Sequence, residues 1–453
     1  MWTAWLAVAL LPPAAHASGV EAGAEVTATA RVGTHGCMND PGSCEWIDFR
    51  DAAVVSPWVS ASPNDSVQAR AHIDLRLHGP GDGHGLESQV NTQPWSLRVR
   101  DAWVAARGQH TELKIGAQRI AWGVANGVSV VDTINPLNLE NPTQFDQRLS
   151  LFSGVATAHT ETLSLSGIVA PFFVPAALPS ADVDLMSTAD DLLSSSVPGA
   201  GDITLGELAS RPTAPSDSIK NTTVGVQLRW TPAAGDFALS WHHGRDSLPQ
   251  VNGDILLVGY QTNTNAIDVG VPLTYPKIDV LGFTARAPLF AELTGWLETA
   301  VTFPEATSAA PSLAQLDGLT KLGTIEAVPD PIPITTTQDG APILKWIIGV
   351  ERPFGPLRVT GQWMHGFFTE RSQADVRDYA LLGLRWTITD VVRLDANGAS
   401  NFDGHLVNLG CTFLHADTVE LSFGTTHIDG TESSAFGGLG VASNLYSRAT
   451  MRF

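Results

Sequence analysis

Strict alternation of apolar and polar side chains is the feature that most constrains the fold of this chain. In residues 68–78, Ala, Ile and Leu side chains alternate with Gln, Arg, His and Asp over the whole segment. A β-strand sends successive side chains to opposite faces, whereas a helix would spread these charges around its surface. Similar segments recur around Trp230, Val301, Phe413 and Phe423. Many have about the 9–11 residues of a tilted membrane-spanning strand.

Composition excludes several other classes of protein. Hydrophobic residues make up 43% of the chain and charged residues 16%, so the chain as a whole is not disordered. The net charge of −20 argues against a nucleic-acid partner, which would need a basic face. After the N-terminus, no run of apolar residues is long enough for a transmembrane helix. The 42 glycines and 28 prolines fit a turn-rich, all-β protein.

The connections between the predicted strands alternate between short and long along the chain. Short ones lie at 108–109, 232–235, 353–356 and 414–416, and long ones at 79–94, 121–149, 171–220, 244–277 and 304–342. A transmembrane barrel has tight periplasmic turns at one end and long extracellular loops at the other. We therefore predict one antiparallel transmembrane β-barrel of about 16–18 strands over residues 18–453. The number is eighteen if the two least regular segments, 45–60 and 236–243, are strands.

The N-terminus predicts secretion. Residues 1–17 combine an apolar stretch with Ala15-His16-Ala17, an A-x-A cleavage pattern, which indicates a signal peptide removed near Ala17. The alternative is a short buried segment, because no Lys or Arg precedes the apolar stretch. In an oxidising compartment, Cys37 and Cys44 can close a small disulfide loop within a turn-rich segment.

The C-terminus predicts the destination of the chain. In residues 444–453 apolar and polar side chains alternate and the last residue is Phe453. This arrangement resembles the C-terminal signature that the barrel-assembly machinery of Gram-negative bacteria reads. We therefore predict an outer-membrane protein whose partners are the assembly machinery, membrane lipid and lipopolysaccharide. Whether the barrel is a monomer or an oligomer stays open.

One motif carries a family resemblance. The pattern G-x-Q-x-x-x-W-G, followed by Asp and Asn-Pro, is met by Gly116, Gln118, Trp122, Gly123, Asp132, Asn135 and Pro136. It resembles a largely uncharacterised family of Gram-negative outer-membrane proteins, similar to the alginate-export and phosphate-selective porins. The resemblance implies a strand that leads into a loop folded into the lumen, here residues 121–149. Arg119, just before this loop, and Asp132, Asn135 and Arg148 within it either line the narrowest point or anchor the loop to the barrel wall.

The predicted inward faces of the strands carry a net positive charge, whereas the long loops carry a net negative charge. Basic residues outnumber acids about two to one on the predicted inward faces, whereas residues 171–220 hold seven acids and two basic residues. An Arg-rich lumen favours anions. The acidic loops would oppose this effect at the mouth, or bind divalent cations. The candidate pore-lining and constriction residues are Arg70, Arg76, Arg98, Arg100, Lys114, Gln118, Arg119, Asp132, Asn135, Arg148 and Arg229.

No enzyme motif is present. The sequence lacks G-x-S-x-G, H-E-x-x-H and a P-loop, and it indicates no cofactor and no metal site. His242 and His243 are adjacent, so on a strand they would point to opposite faces. From the predicted barrel and its Arg-rich lumen, we expect a porin-like channel for passive passage of small solutes, with a preference for anions. The alternative is a plugged barrel that acts as a receptor, adhesin or assembly protein through its acidic extracellular loops.

Overall fold

The structure is a computed structural model of the chain. It describes residues 19–33, 53–77, 95–140, 147–178, 204–208, 212–216, 219–261, 266–290, 292–311, 335–415, 418–431, 436 and 443–453. The predicted signal peptide, and Cys37 and Cys44, lie outside the described residues. Within this part of the chain, no helix has the length and hydrophobicity needed to cross a membrane.

Eighteen antiparallel strands of the described chain form one sheet that closes on itself. In chain order they are β1 (Val20–Gly33), β2 (Ala53–Asn64), β3 (Val67–Leu77), β4 (Trp95–Arg107), β5 (Thr111–Gln118), β6 (Leu151–His159), β7 (Leu163–Ala170), β8 (Thr223–Trp230), β9 (Asp236–Arg245), β10 (Lys277–Pro288), β11 (Thr294–Pro304), β12 (Ile343–Phe354), β13 (Leu357–His365), β14 (Asp378–Thr389), β15 (Val392–Ser400), β16 (Gly404–His415), β17 (Val419–Gly430) and β18 (Asn444–Arg452).

Closure comes from the pairing of the first and last strands. β1 pairs with β18 from Glu25↔Arg452 to Gly33↔Asn444, and the other seventeen pairings join strands that are neighbours along the chain. Closure removes the free sheet edges that could not be satisfied in lipid. The predicted all-β transmembrane barrel of 16–18 strands is confirmed, with eighteen strands.

Several strand boundaries differ from the prediction. β2 extends to Asn64 rather than ending at residue 60, because its last residues continue to pair with β1, as in Val20↔Ala61. Alternation also predicts a strand over residues 291–303 with Glu292 facing inward, but β11 begins at Thr294 and Glu292 precedes it. Its φ of 62° is the left-handed backbone conformation, which a regular strand does not contain.

The connections are sorted between the two ends of the barrel. The eight that join β2–β3, β4–β5, β6–β7, β8–β9, β10–β11, β12–β13, β14–β15 and β16–β17 have at most five residues, and Phe453 lies at this end. The nine connections at the opposite end include all the long ones. In the described parts of these long loops, Gly253–Gln261 and Ala266–Gly270 join Thr204–Leu208, Thr307–Pro311 and Thr335–Gln338 in a small sheet.

The outer face of the barrel is an apolar belt. Outward-facing Leu97, Leu239 and Leu382 are more than half exposed, and they belong to a larger set of exposed large apolar side chains. Trp230 and Trp386 lie near the short-turn end, and Trp241, Trp346 and Trp363 lie nearer the other end. An exposed apolar band with aromatic residues at its margins is the surface of a membrane-spanning barrel.

Candidate lumen and constriction loop

The described parts of the connection between β5 and β6, residues 119–140 and 147–150, lie against the inner wall of the barrel. We call this connection the inner loop. Asn135 ties its two ends together, since its side-chain oxygen accepts a hydrogen bond from the Ile120 amide (2.7 Å) and its amide group donates to the Leu149 carbonyl (2.8 Å). Asn135 is 2% exposed. Buried polar groups satisfied in this way hold a loop in one conformation.

Glu298 of β11 holds the tip of the inner loop. Its carboxylate accepts hydrogen bonds from the amides of Ala125 (2.8 Å) and Val130 (3.1 Å) and from the Ser129 hydroxyl (2.7 Å), and also from the Val124 amide. Glu298 is fully buried. Because hydrogen bonds to a charged group contribute about 1.5–3 kcal/mol each, these four contacts anchor the tip to the wall.

Asn126 extends the anchoring to β13. Its backbone carbonyl accepts a hydrogen bond from the Gln362 amide group (2.7 Å), and its own side-chain amide donates to Glu351 (3.2 Å). The indole of Trp296 donates to the Gln362 oxygen (3.0 Å), which fixes the orientation of that glutamine. The inner loop therefore crosses the barrel interior from β5–β6 to β11–β13.

Glu140 joins the C-terminal part of the inner loop to β3 and β4. Its two oxygens accept hydrogen bonds from both guanidinium groups, at 2.6 Å from Arg76 and 2.7 Å from Arg98. Burial alone would raise the pKa of Glu140, but the hydrogen bonds from Arg76 and Arg98 outweigh burial and lower the pKa to about 2. The carboxylate is therefore charged, and it occupies both arginines.

Asp132 of the inner loop contacts an arginine less closely than Glu140 does. Arg148 donates from Nε to the Asp132 backbone carbonyl (3.3 Å), whereas the nearer carboxylate oxygen of Asp132 is 4.0 Å away. The other carboxylate oxygen is buried without a hydrogen-bond partner among the described residues. Burial raises the pKa of Asp132 to about 6, and Arg148 opposes this shift only in part.

The family motif at the start of the inner loop has a packing role. Gly123 lies so close to Glu298 that an added Cβ would be 2.8 Å from its carboxylate oxygen. Trp122 is buried against Gly225 of β8, where a Cβ would be 3.0 Å from the indole. The glycine is required for the close approach of the loop backbone to Glu298, and the tryptophan fills the space beside it.

A cavity of about 520 Å³ lies between the tip of the inner loop and the wall formed by β1 and β12–β18. The tip contributes Asn126, Gly127 and Val128. The wall is mostly polar and carries more basic than acidic groups. Its charged residues are Arg31, Arg358, Arg385, Arg448, Glu351 and Asp395.

The eleven predicted site residues lie away from this cavity, on the wall of β3–β8 and on the inner loop. Arg76 and Arg98 hold Glu140, Arg100 lies 3.1 Å from Asp74, and Arg229 pairs with Asp236 near the short-turn end. The ammonium of Lys114 lies 4.1 Å from the centre of the Trp103 ring.

Some of the remaining predicted residues hydrogen-bond to the backbone, and others do not. Gln118 donates to the Ser153 carbonyl (3.1 Å), and Asn135 and Arg148 bond to the loop backbone as described. For Asn135 and Arg148 these are the contacts of loop anchors, one of the two roles that the sequence left open. Arg119 is exposed, and Arg70 lies 6.0 Å from the centre of the Trp58 ring.

Sequence reasoning missed the residues that hold the inner loop. Alternation places Glu298 and Glu351 on inward faces but does not show what these acids hold, and Glu140 and Gln362 give no signal in the sequence. Arg31 and Tyr446, which also line the cavity, could have been found from alternation, since Arg31 pairs with Tyr446 across β1 and β18. Alternation identifies the face of a residue but not the loop that reaches it.

The long loops also contact each other at the outer mouth. Leu137 and Leu139 of the inner loop pack against Ala176 and Leu248 of the two following long loops. The backbone of residues 137–139 bonds to Ala177 in both directions, at 2.8 and 3.0 Å. Arg371 adds an ion pair with Asp246 at 2.6 Å. The mouth is thus narrowed by several loops together.

Comparison with solved structures gives similarity along the whole chain. OccAB1 of Acinetobacter baumannii has a TM-score of 0.50 at 8% identity and covers 97% of this chain and 98% of its own. OccAB4 of the same organism scores 0.49 at 8% identity, covering 96% and 98%. OccD3 (OpdP) of Pseudomonas aeruginosa scores 0.46 at 9% identity, covering 98% and 96%.

The likeness to OccAB1 supports the barrel fold alone, because the sequences share so few residues. No protein-family model matches the chain, and no curated protein sequence matches it. The family resemblance carried by the motif that begins at Gly116 therefore stays a prediction.

Proposed function

We propose that this protein is an outer-membrane channel of a Gram-negative bacterium, through which small solutes pass by diffusion. The observation that carries the proposal is the position of the inner loop. Its tip is anchored on Glu298 and Gln362, and the polar cavity of about 520 Å³ lies between this tip and the opposite wall. A closed barrel that is narrowed by an anchored loop is suited to select solutes by size.

The proposed preference is for anions. Four arginines and two acids line the cavity. Arg358 lies 3.6 Å from Glu351 and Arg385 lies 2.8 Å from Asp395, and the wall keeps a net positive charge because the arginines outnumber the acids by two. Rings of basic side chains lower the electrostatic barrier for anions. In this proposal Arg358, Arg385 and Arg448 contribute to selectivity directly, whereas Arg76 and Arg98 act by holding the inner loop through Glu140.

Single-channel recording of the refolded, full-length protein in a planar bilayer tests this proposal. With a salt gradient across the bilayer, we expect steady conductance and a reversal potential whose sign indicates anion selectivity. Replacing Arg358, Arg385 and Arg448 by Gln should move the reversal potential toward cation preference. Arg107→Gln is the matched control, because Arg107 pairs with Glu112 at the short-turn end, away from the cavity.

A plugged barrel that acts at the cell surface is the second candidate. The observation in its favour is the contact between long loops at the outer mouth, including the ion pair of Arg371 and Asp246. Absence of conductance from a correctly folded, heat-modifiable barrel would rule out the channel and favour this alternative. Steady conductance with cation preference would keep the channel and contradict the role of the arginines.

A further inference from the structure

Two histidines and an aspartate lie together on the outward face of β16 and β17, and neither the channel nor its loop uses them. One ligand atom from each of His405, His427 and Asp429 lies within 4.8 Å of the other two. The rings of the two histidines are 5.5 Å apart. Within the described residues, none of the three side chains makes a hydrogen bond or an ion pair with a protein group.

Strand pairing holds the three residues on one face. His405 is directly opposite Asp429, and His427 precedes Asp429 by two residues on the same strand. Residues two apart on a strand share a face, and directly opposed residues of paired strands do too. Their neighbours Leu406 and Ile428 are buried in the barrel interior, so the three polar side chains face outward.

The cluster lies at the outer end of the barrel, close to the aromatic margin of the apolar belt. The connection 401–403 is immediately next to His405, and its Phe402 packs on the outward-facing Trp363 with ring centres 6.0 Å apart. A cavity of about 360 Å³ lies beside His405 and Asp429. His427 and Asp429 are exposed, so an ion from water can reach them.

We propose that His405, His427 and Asp429 bind a divalent transition-metal ion of the Zn²⁺ class. Imidazole nitrogens and a carboxylate oxygen suit this class, and Zn²⁺ accepts three protein ligands with water in the fourth position. Tetrahedral Zn²⁺ with bonds of about 2.0–2.1 Å places its ligand atoms roughly 3.3 Å apart. Because the ligand atoms lie within 4.8 Å of one another, they must close by at most about 1.5 Å, which rotation of the side chains permits.

The neighbouring charges leave the cluster available. Asp403 lines the same cavity, but its carboxylate lies 3.2 Å from the Arg377 guanidinium. The Asp403 carboxylate is therefore already paired with a cation. Asp429 therefore supplies the carboxylate that can act as the third ligand beside the two histidines.

Metal titration of the refolded, full-length protein in detergent micelles tests the site. Zn²⁺ binding is measured by calorimetry, and Co²⁺ serves as a spectroscopic probe of nitrogen and oxygen ligands. We expect one ion per chain. His427→Ala and Asp429→Asn should each weaken Zn²⁺ binding at least about tenfold, as loss of a direct ligand costs no less than loss of a supporting group.

His159→Ala is the matched control. His110 and His159 also form a ring pair, with centres 6.3 Å apart, but they lie at the short-turn end and belong to no metal-competent group among the described residues. The control should bind Zn²⁺ as the unaltered protein does. Heat-modifiability on gels verifies the fold of each variant.

Two results would overturn the proposal. One is an unaltered protein that binds no Zn²⁺ at stoichiometric concentration. The other is undiminished binding by the folded His427→Ala and Asp429→Asn variants, which would place the ion elsewhere on the chain. The titration of the unaltered protein decides the first point even if a variant fails to fold.

Discussion

The carboxylate of Glu298, on the barrel wall, lies 2.7 Å from the hydroxyl of Ser129, which precedes it by 169 residues in the chain. The same carboxylate accepts three backbone amides of the inner loop. A buried carboxylate without these donors would be strongly unfavourable, and so would buried amides without an acceptor. The wall and the loop therefore stabilise each other.

Removing Glu298 is expected to release the tip of the inner loop. Glu298→Ala eliminates four hydrogen bonds to a charged group, each contributing about 1.5–3 kcal/mol. We expect larger and more variable single-channel conductance, because the tip no longer holds its position. Glu112→Gln, at the short-turn end, should leave the conductance unchanged. Identical conductance of Glu298→Ala and the unaltered protein would contradict the anchoring role.

The pH dependence of stability is expected to change when Asp132 is replaced by Asn. Burial raises the pKa of Asp132 from 3.8 to about 6, so the folded state binds the proton more tightly than the unfolded state. The protonated Asp132 side chain therefore contributes fully to the free energy of unfolding below about pH 4. This contribution is lost as the pH rises to about 6, a change of about 3 kcal/mol.

Asp132→Asn should be the more stable protein at about pH 8, and its stability should vary less than that of the unaltered protein between about pH 4 and 6. Urea unfolding in detergent micelles, followed at several pH values, measures both effects. An unchanged slope in Asp132→Asn would show that this carboxyl does not bind a proton in that range.

Gly116 is expected to tolerate no side chain. Its φ is 135°, and an added Cβ would lie 2.1 Å from the Ala102 carbonyl oxygen on the paired strand β4. Ala at such a position destabilises by more than about 1 kcal/mol. We expect Gly116→Ala to reduce the yield of heat-modifiable barrel. Gly154→Ala is the matched control, because nothing lies within 4 Å of its added Cβ. Equal yields would contradict the steric argument.

The strands and their faces could be read from the sequence. Residues 68–78 predicted a strand with Arg70, Asp74 and Arg76 on one face, and β3 has these side chains inward. Alternation also predicted the strand that contains Gly116 and Gln118. It predicted that His242 and His243 point to opposite faces, and in the structure His242 is buried while His243 is more exposed. These properties are local, since they depend only on the two-residue period of a strand.

The partners of the inward-facing charges could not be read in this way. Arg76 and Arg98 were predicted to line the pore, but in the structure both hold Glu140, which lies 42 residues beyond Arg98. Arg358, Arg385 and Arg448, equally inward by alternation, face the cavity instead. The difference depends on which half of the barrel the inner loop covers.

The sequence by itself determined a closed, membrane-spanning sheet, because period-two alternation, sorted connections and the absence of long apolar runs leave few other folds. Only the tertiary structure decided where the lumen is filled and where a cavity remains. It also brought His405 beside His427 and Asp429. Those arrangements rest on contacts between residues far apart in the chain, such as Ser129 with Glu298, and no local pattern encodes which distant partner a charged side chain meets.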